Sequence, residues 1–173
     1  ELVSGSISMD DVVYINGTEK KVSYGETTLM ARAVFANGET AEIEIKSVDG
    51  SDAVTITKGD DEATVIEVND GLWAFEMDGD KYELKTISVG DDANFDTTTN
   101  NKTVGDDRIG GLRVNDNAVV FVKDGEGDVT VLTGADVKAW SEADRESVVA
   151  YANNTSGYAY VELAAITVKG DVP

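Results

Sequence analysis

Residues 29–48 read LMARAVFANGETAEIEIKSV, with an apolar-rich run on each side of Asn37-Gly38. An Asn-Gly pair favours a tight β-hairpin turn, because both residues tolerate the positive φ that such a turn needs. In the second run, residues 40–48, apolar and charged side chains alternate. This period of two is expected of a strand with one packed face and one face in water. The stretch therefore predicts a β-hairpin.

The same pattern recurs on both sides of this stretch. Residues 12–15 and 20–23 flank Asn16-Gly17, and residues 72–77 and 81–89 flank Asp78-Gly79-Asp80. No helical periodicity separates these runs, so the predicted fold class is all-β, with mainly antiparallel hairpins in a sandwich or barrel. The further predicted strands are 53–57, 63–68, 112–114, 118–123, 128–132, 147–152 and 158–168, with a helix as the alternative for 147–152.

One short α-helix is predicted near residues 133–140. Thr133 can cap its N-terminus, and Asp136, three residues on, can return the hydrogen bond as a capping box. Val137 and Trp140 would then share the buried face of the helix.

Residues 90–111 read GDDANFDTTTNNKTVGDDRIGG and interrupt the strand pattern. We expect a linker or long loop here. It would separate a β-domain over residues 1–89 from a second β-unit with the short helix over residues 112–173, unless the two form one continuous domain. The series Val-Asn-Asp, Phe, Asp-Gly within residues 68–79 recurs at the same spacing within 114–125. It indicates either a duplicated unit or two hairpins that converge on similar residues.

The composition and charge of the chain exclude several kinds of chemistry and several classes of partner. It has 34 acidic and 14 basic residues, a net charge of -20, no histidine and no cysteine. The usual general base near neutral pH and the usual zinc ligands are therefore missing. A polyanion repels nucleic acid, so no nucleic-acid partner is expected. No run approaches the ~20 apolar residues of a membrane span. The acidity fits a solvated surface best, ahead of divalent-cation binding or adaptation to high salt.

The start of the chain at Glu1, without a recognisable signal peptide, indicates a segment excised from a longer protein. We expect any export signal or anchor to lie outside it.

Oxygen-rich loops raise the question of calcium, which takes oxygen ligands at alternating positions of a loop bent by glycine and closed by a carboxylate. Asp92, Asn94 and Asp96 match the first three positions of the helix–loop–helix calcium motif but lack its glycine and its closing glutamate. The acidic stretch 124–128 fails in the same way, so that motif is rejected. A looser calcium site on Asp92, Asn94 and Asp96 is kept as a candidate, and no other cofactor is expected. That site would also draw on Asp91, Asp106 and Asp107.

No residue is assigned a catalytic role, and the chain is predicted not to be an enzyme. It has no S-x-x-K motif and no glycine-rich phosphate loop that leads into a helix. With 34 acidic residues, any pair of carboxylates chosen for glycoside hydrolysis would be arbitrary. Five aromatic residues could stack on sugars, although packing within the sheets is favoured for each. They are Trp73, Trp140, Tyr151, Tyr158 and Tyr160.

The second half of the chain carries a family resemblance. Residues 119–123 (VVFVK), 129–140 (VTVLTGADVKAW) and 157–168 (GYAYVELAAITV) resemble the non-anchoring regions of bacterial proteins that carry S-layer homology modules. The resemblance covers residues 112–168, about a third of the chain, and the helical repeat of the anchoring modules has no copy here. It implies a secreted protein, associated with the cell surface or cell wall, in which this segment is a β-rich spacer or display module.

These observations predict a non-catalytic extracellular β-domain of a bacterial cell-surface protein of the S-layer type, structural or adhesive in role. Its partners would be cell-envelope components or neighbouring domains of the same chain. One alternative is a glycan-binding module, which would expose coplanar aromatic rings from two strands. The other is an accessory domain of a surface hydrolase. An enzyme, by contrast, would show a cleft with paired carboxylates of divergent pKa.

Overall fold

The structure is a computed structural model that describes residues 12–56, 63–87, 95–98, 101–155 and 158–173. These residues divide into two compact units, 12–87 and 95–173. Strands make up most of both units, and the described residues contain one short helix. The predicted all-β fold class is therefore confirmed.

The first unit is a closed barrel. The ring runs β1-β2-β3-β8-β7 and returns to β1, and β3 and β8 are its one parallel pair. This is the strand order of the five-stranded Greek-key barrel of OB type. Strand β4 extends the sheet beside β3, and β5 and β6 form a separate hairpin. The strands are β1 (Val12–Ser23), β2 (Glu26–Phe35), β3 (Thr40–Val48), β4 (Ser51–Asp52), β5 (Val54–Ile56), β6 (Ala63–Val65), β7 (Gly71–Asp78) and β8 (Lys81–Lys85).

Alternation along the strands places the core inside this barrel. In β3, Ile43 and Ile45 are buried while Glu42 and Lys46 are exposed. Leu29 of β2 lies opposite Ile45 and is buried with it. The hairpin predicted across Asn37-Gly38 is thus confirmed, with the packed face that the sequence pattern indicated.

The turn predicted at Asn16-Gly17 is wrong. Strand β1 passes through this pair without reversing, and its register with β2 shifts between Ile15 and Thr18, which marks a β-bulge. Gly17 has φ 99°, in the left-handed region that a bulge uses and that favours glycine. The chain reverses instead at Tyr24-Gly25, where both residues have positive φ.

The second unit is built on a larger sheet. Its order is β14-β10-β11-β12-β16-β15-β9, and β13 also pairs with β12. The strands β12 and β16 run parallel, and the other pairs are antiparallel. The elements are β9 (Phe95–Thr98), β10 (Thr103–Gly105), β11 (Arg108–Ile109), β12 (Leu112–Lys123), β13 (Val129–Thr133), α1 (Gly134–Lys138), β14 (Ala143–Asp144), β15 (Ser147–Thr155) and β16 (Tyr158–Thr167).

The linker or long loop predicted over residues 90–111 is wrong for its described part, which supplies β9, β10 and β11 to the second sheet. Val104 and Ile109, within this segment, are fully buried in the core of that unit. Strands of two to four residues are too short to show a period of two, and the glycines beside them resemble loop signals. The two predicted strands 112–114 and 118–123 are likewise one strand, β12, with an irregular register between Val114 and Val119.

The two units share one order and one sense of strand pairing, apart from the closing β1–β2 pair, which has no counterpart among the described pairs of the second unit. In the first, β1 is antiparallel to β7, β7 to β8, and β8 is parallel to β3, which is antiparallel to β2. In the second, β9, β15, β16, β12 and β11 follow the same chain order and the same sense of pairing. The sequence repeat between 68–79 and 114–125 aligns β7 with β12, which are not equivalent strands. That alignment is therefore not the basis of the repeated topology.

The predicted helix is confirmed as α1, although it ends at Lys138 rather than Trp140. The Thr133 hydroxyl accepts the Asp136 N–H, and the Asp136 carboxylate accepts the Thr133 N–H, so the capping box is complete. Val137 and Trp140 are both buried, as predicted.

Candidate functional site

The candidate calcium residues fall largely outside the described part of the chain. Asp92 and Asn94 are not among the described residues. The backbone of Asp96 is described, and it pairs with Ala152 where β9 meets β15. The calcium site therefore stays a prediction.

A different acidic group is brought together by the turn between β12 and β13. The carboxylates of Asp124, Glu126 and Asp128 offer oxygen atoms within 4.8 Å of one another. Calcium takes about six to eight oxygen ligands, so three monodentate carboxylates would supply only part of a shell. Exposed acidic groups also cluster without any ion.

The hydrogen bonds of this turn give the acidic group a structural role. One oxygen of Asp124 accepts the N–H groups of Glu126 at 2.9 Å and of Asp128 at 3.0 Å. The Gly125 N–H donates to the Gly170 carbonyl at 3.0 Å. A Cβ on Gly125 would lie 2.4 Å from the Lys169 carbonyl oxygen, so glycine is needed for this close approach. Asp124 therefore organises the turn.

The aromatic side chains do not form the flat exposed platform expected of a glycan-binding module in the described residues. Phe35, Phe75 and Tyr82 form a half-buried cluster in the first unit, with rings inclined to one another by 41–74°. Trp73 is half-buried, and its indole N–H donates to the Asn69 carbonyl at 3.0 Å.

In the second unit, Trp140 is buried, and partial burial raises the pKa of Tyr151. Tyr160 is 38% exposed. The side chain of Tyr158 lies outside the described residues. The Arg145 guanidinium lies 5.2 Å from the centroid of the Trp140 ring, and Tyr160 lies opposite Arg113 of β12.

Among the described residues, no polar or charged side chain is fully buried. Arg145 is half-buried, and its Nε is shielded from solvent without a hydrogen-bond partner. On the first barrel, lysines pair with carboxylates of nearby strands. The pairs are Lys21–Glu42, Lys46–Asp78, Lys81–Glu44 and Lys85–Glu76. The hydrogen bond from Lys46 lowers the pKa of Asp78. A general acid at neutral pH needs the opposite shift.

Sequence reasoning missed a polar pocket in the second unit. Arg108 and Arg113 contribute to it, together with Lys138 from the end of α1 and Tyr160 from β16. The one local signal is that the two arginines flank Gly110-Gly111, which turns β11 into β12. Lys138 and Tyr160 are distant from the arginines in sequence, and they join the pocket only through the tertiary fold.

No known protein family, no curated protein and no solved structure matches this chain. The resemblance to proteins with S-layer homology modules therefore remains a prediction from the residues quoted above. Within the described residues, α1 spans five residues, and no helix is long and apolar enough to cross a membrane.

Proposed function

We propose that this chain is a non-catalytic β-module of a bacterial cell-surface protein of the S-layer type, with a structural or adhesive role. Barrels of one topology serve many unrelated functions, so the strand order by itself does not indicate a function.

The closure of the first barrel is the observation that carries the proposal. A free strand edge presents unpaired N–H and C=O groups and invites pairing with another chain. Here the β1–β2, β2–β3 and β1–β7 pairings leave no open edge among the five strands of the ring. The first unit, which lacks such edges, can stand at high local density on a surface without sheet-to-sheet aggregation.

The placement of charge supports the same role. Acidic residues exceed basic ones by 20, and the described charged side chains face solvent. Like-charged surfaces repel one another and hold water, which keeps densely displayed modules apart. The paired lysines lie on the same surfaces, where each exposed pair contributes about 0–1 kcal/mol. The acidic surface therefore favours hydration and spacing over catalysis.

Surface labelling of intact cells tests the location. Lys20, Lys102 and Lys169 are exposed and would react with an amine reagent that cannot cross membranes. We expect peptides with these lysines to be labelled on intact producing cells to the same extent as after lysis. Labelling that appears only after lysis would contradict a surface role. A cytosolic protein of the same cells is the matched control for leakage.

A further inference from the structure

The polar pocket of the second unit has the size of a small-ligand site. Its volume is about 450 Å³, and ligand pockets in proteins occupy roughly 300–1,000 Å³. Its polar lining is Asp106, Asp107, Arg108, Arg113, Lys138 and Tyr160.

Three of these side chains form a row across adjacent strands. Arg108 of β11 lies directly opposite Arg113 of β12, and Arg113 lies opposite Tyr160 of β16. Like charges placed directly opposite each other in a sheet are destabilising. Within the described part of the chain, neither arginine forms an ion pair with a carboxylate. Two of the four arginines of a chain with net charge -20 thus lie opposite each other on adjacent strands, in a pocket that Asp106 and Asp107 also line.

An arginine of the first barrel shows the ordinary arrangement. Arg32 of β2 lies opposite Glu42 of β3, so its cross-strand neighbour has the opposite charge, although Glu42 itself is ion-paired with Lys21. A smaller pocket of about 140 Å³ lies around it. The placement of one arginine opposite another, as in Arg108–Arg113, is therefore not a general consequence of sheet formation in this protein.

The acidic residues of the pocket are fixed by the end of the helix. The Asp106 N–H donates to the Trp140 carbonyl at 3.0 Å, and the Asp107 N–H to the Lys138 carbonyl at 3.3 Å. Both aspartates have positive φ, 51° and 71°. Lys138 is already paired with Asp116 at 2.8 Å. Arg108 donates one N–H to the Gly111 carbonyl at 3.0 Å. Its other N–H groups and those of Arg113 are consequently the cationic donors left for a ligand, with two carboxylates beside them.

The chemistry of this lining selects a class of ligand. The planar guanidinium groups match a carboxylate in a two-pronged hydrogen bond. Asp106 and Asp107 can accept hydrogen bonds from hydroxyl groups, and they repel a dianion such as phosphate more strongly than a monoanion. The exposed ring of Tyr160 offers an apolar face to C–H groups of a sugar. We propose that this pocket binds a sugar acid, with its carboxylate on Arg108 and Arg113 and its hydroxyls on the two aspartates.

This site would supply the adhesive contact of the proposed function. The binding proposal rests on the proposed function only for the cellular location of the site, because binding can be measured on the purified chain wherever the protein is located. The labelling experiment and the binding experiment can therefore fail separately.

The test is a titration of the ¹⁵N-labelled full chain with sodium glucuronate at constant ionic strength, followed by amide chemical shifts. We expect saturable shifts in residues 105–114 and at Lys138 and Tyr160. Glucose, which lacks the carboxylate, should give no saturable shift at these positions. Sodium sulfate and alanine should bind more weakly than glucuronate, since neither combines a single negative charge with several hydroxyls.

Variants locate the binding. Arg113→Gln and Arg108→Gln should each weaken glucuronate binding about tenfold or more, the cost of one charged hydrogen bond. Arg32→Gln is the matched control and should leave the affinity unchanged. The remaining amide shifts of each variant establish that it is folded. The proposal is overturned by the absence of saturable shifts, by equal binding of glucose, sulfate or alanine, or by unchanged affinity in the folded Arg113→Gln variant.

Discussion

The Asp49 carboxylate joins the turn after β3 to the residue that follows β8. It accepts the Thr86 N–H at 2.8 Å and the Thr86 hydroxyl at 2.7 Å. These two hydrogen bonds, the backbone one first, hold the pKa of Asp49 below its ordinary 3.8. A carboxyl with a lower pKa in the folded state stabilises above its unfolded pKa, and this stability is lost as pH falls through the folded pKa.

Asp49→Asn should therefore lower the melting temperature most at neutral pH, and the difference from the native chain should shrink as the pH falls below 3.8. Melting followed by circular dichroism across this range is the measurement. Asp80→Asn, at an exposed position in the β7–β8 turn, is the control and should show no such trend. A difference that stays constant with pH would contradict a role for the ionised carboxylate.

Gly134 begins the helix where another strand approaches closely. A Cβ there would lie 1.9 Å from the Asn115 carbonyl oxygen and 2.8 Å from a methyl of Val114. Helix propensity alone would make alanine more stable than glycine by about 1 kcal/mol. The steric contact opposes this gain, and because the nearest atom belongs to the backbone it cannot be relieved by a change of side-chain rotamer. We therefore expect Gly134→Ala to destabilise the protein by about 2–3 kcal/mol.

Urea unfolding of the two alanine variants at Gly134 and Gly170 measures this effect. A Cβ at Gly170 meets nothing within 4 Å, and the residue does not have positive φ. Gly170→Ala should therefore stay within about 0.5 kcal/mol of the native chain. Stabilisation by Gly134→Ala would show that helix propensity outweighs the contact.

The capping box of α1 acts at the scale of one element. Thr133→Ala removes the oxygen that accepts the Asp136 N–H at 3.2 Å, and should cost about 1 kcal/mol in free energy of unfolding. Thr133→Ser keeps the hydroxyl and should restore most of this loss. Chemical unfolding of both variants provides the measurement. If the alanine and serine variants were equally stable, the hydroxyl at residue 133 would contribute nothing measurable to the free energy of unfolding.

Two identical dipeptides show how far local sequence predicts the elements. Asn37-Gly38 forms the predicted hairpin turn, whereas Asn16-Gly17 lies in a bulge of β1. The Gly17 N–H donates at 2.9 Å to a carboxylate oxygen of Asp70, 53 residues away along the chain. Turn propensity depends on adjacent residues and could be predicted. Asp70 is brought to Gly17 by the tertiary structure, which the local sequence pattern does not predict.

Parallel strand pairing sets a second limit on prediction. Hairpins join neighbours in sequence, so alternation and turn residues indicate them directly. The β3–β8 and β12–β16 pairs need a crossover of many residues and leave no local signal. The short strand β11, although buried at Ile109, was also too brief to show a period. The fold class could therefore be predicted, but the repeated topology of the two units could not.

The same limit applies to the candidate site of the whole molecule. The predicted calcium site depends on spacing along one loop, and its residues fall largely outside the described part of the chain. The pocket around Arg113 instead combines β11, β12, β16 and the end of α1. Arg108 and Arg113 are close in sequence, but Tyr160 joins them through the parallel β12–β16 pair. Such a site can be identified only once the strand order is known.

The net charge of -20 gives a prediction for the whole chain. Two electrostatic effects compete, since exposed ion pairs stabilise the folded state by up to about 1 kcal/mol each, while repulsion among the excess carboxylates destabilises it. The acidic excess is larger than the number of lysines and arginines together, so repulsion should prevail. We expect the melting temperature to rise as sodium chloride screens the charges, over a range in which the Debye length falls from about 30 Å to below about 8 Å.

A fall in melting temperature with added salt would mean that the ion pairs outweigh the repulsion. Calcium and magnesium chloride at equal ionic strength separate screening from specific binding. Equal midpoints in the two salts fit a solvated acidic surface. A higher midpoint in calcium, abolished by a chelator, would assign part of the acidity to a site that binds the ion only in the folded state, because such a ligand must raise the midpoint.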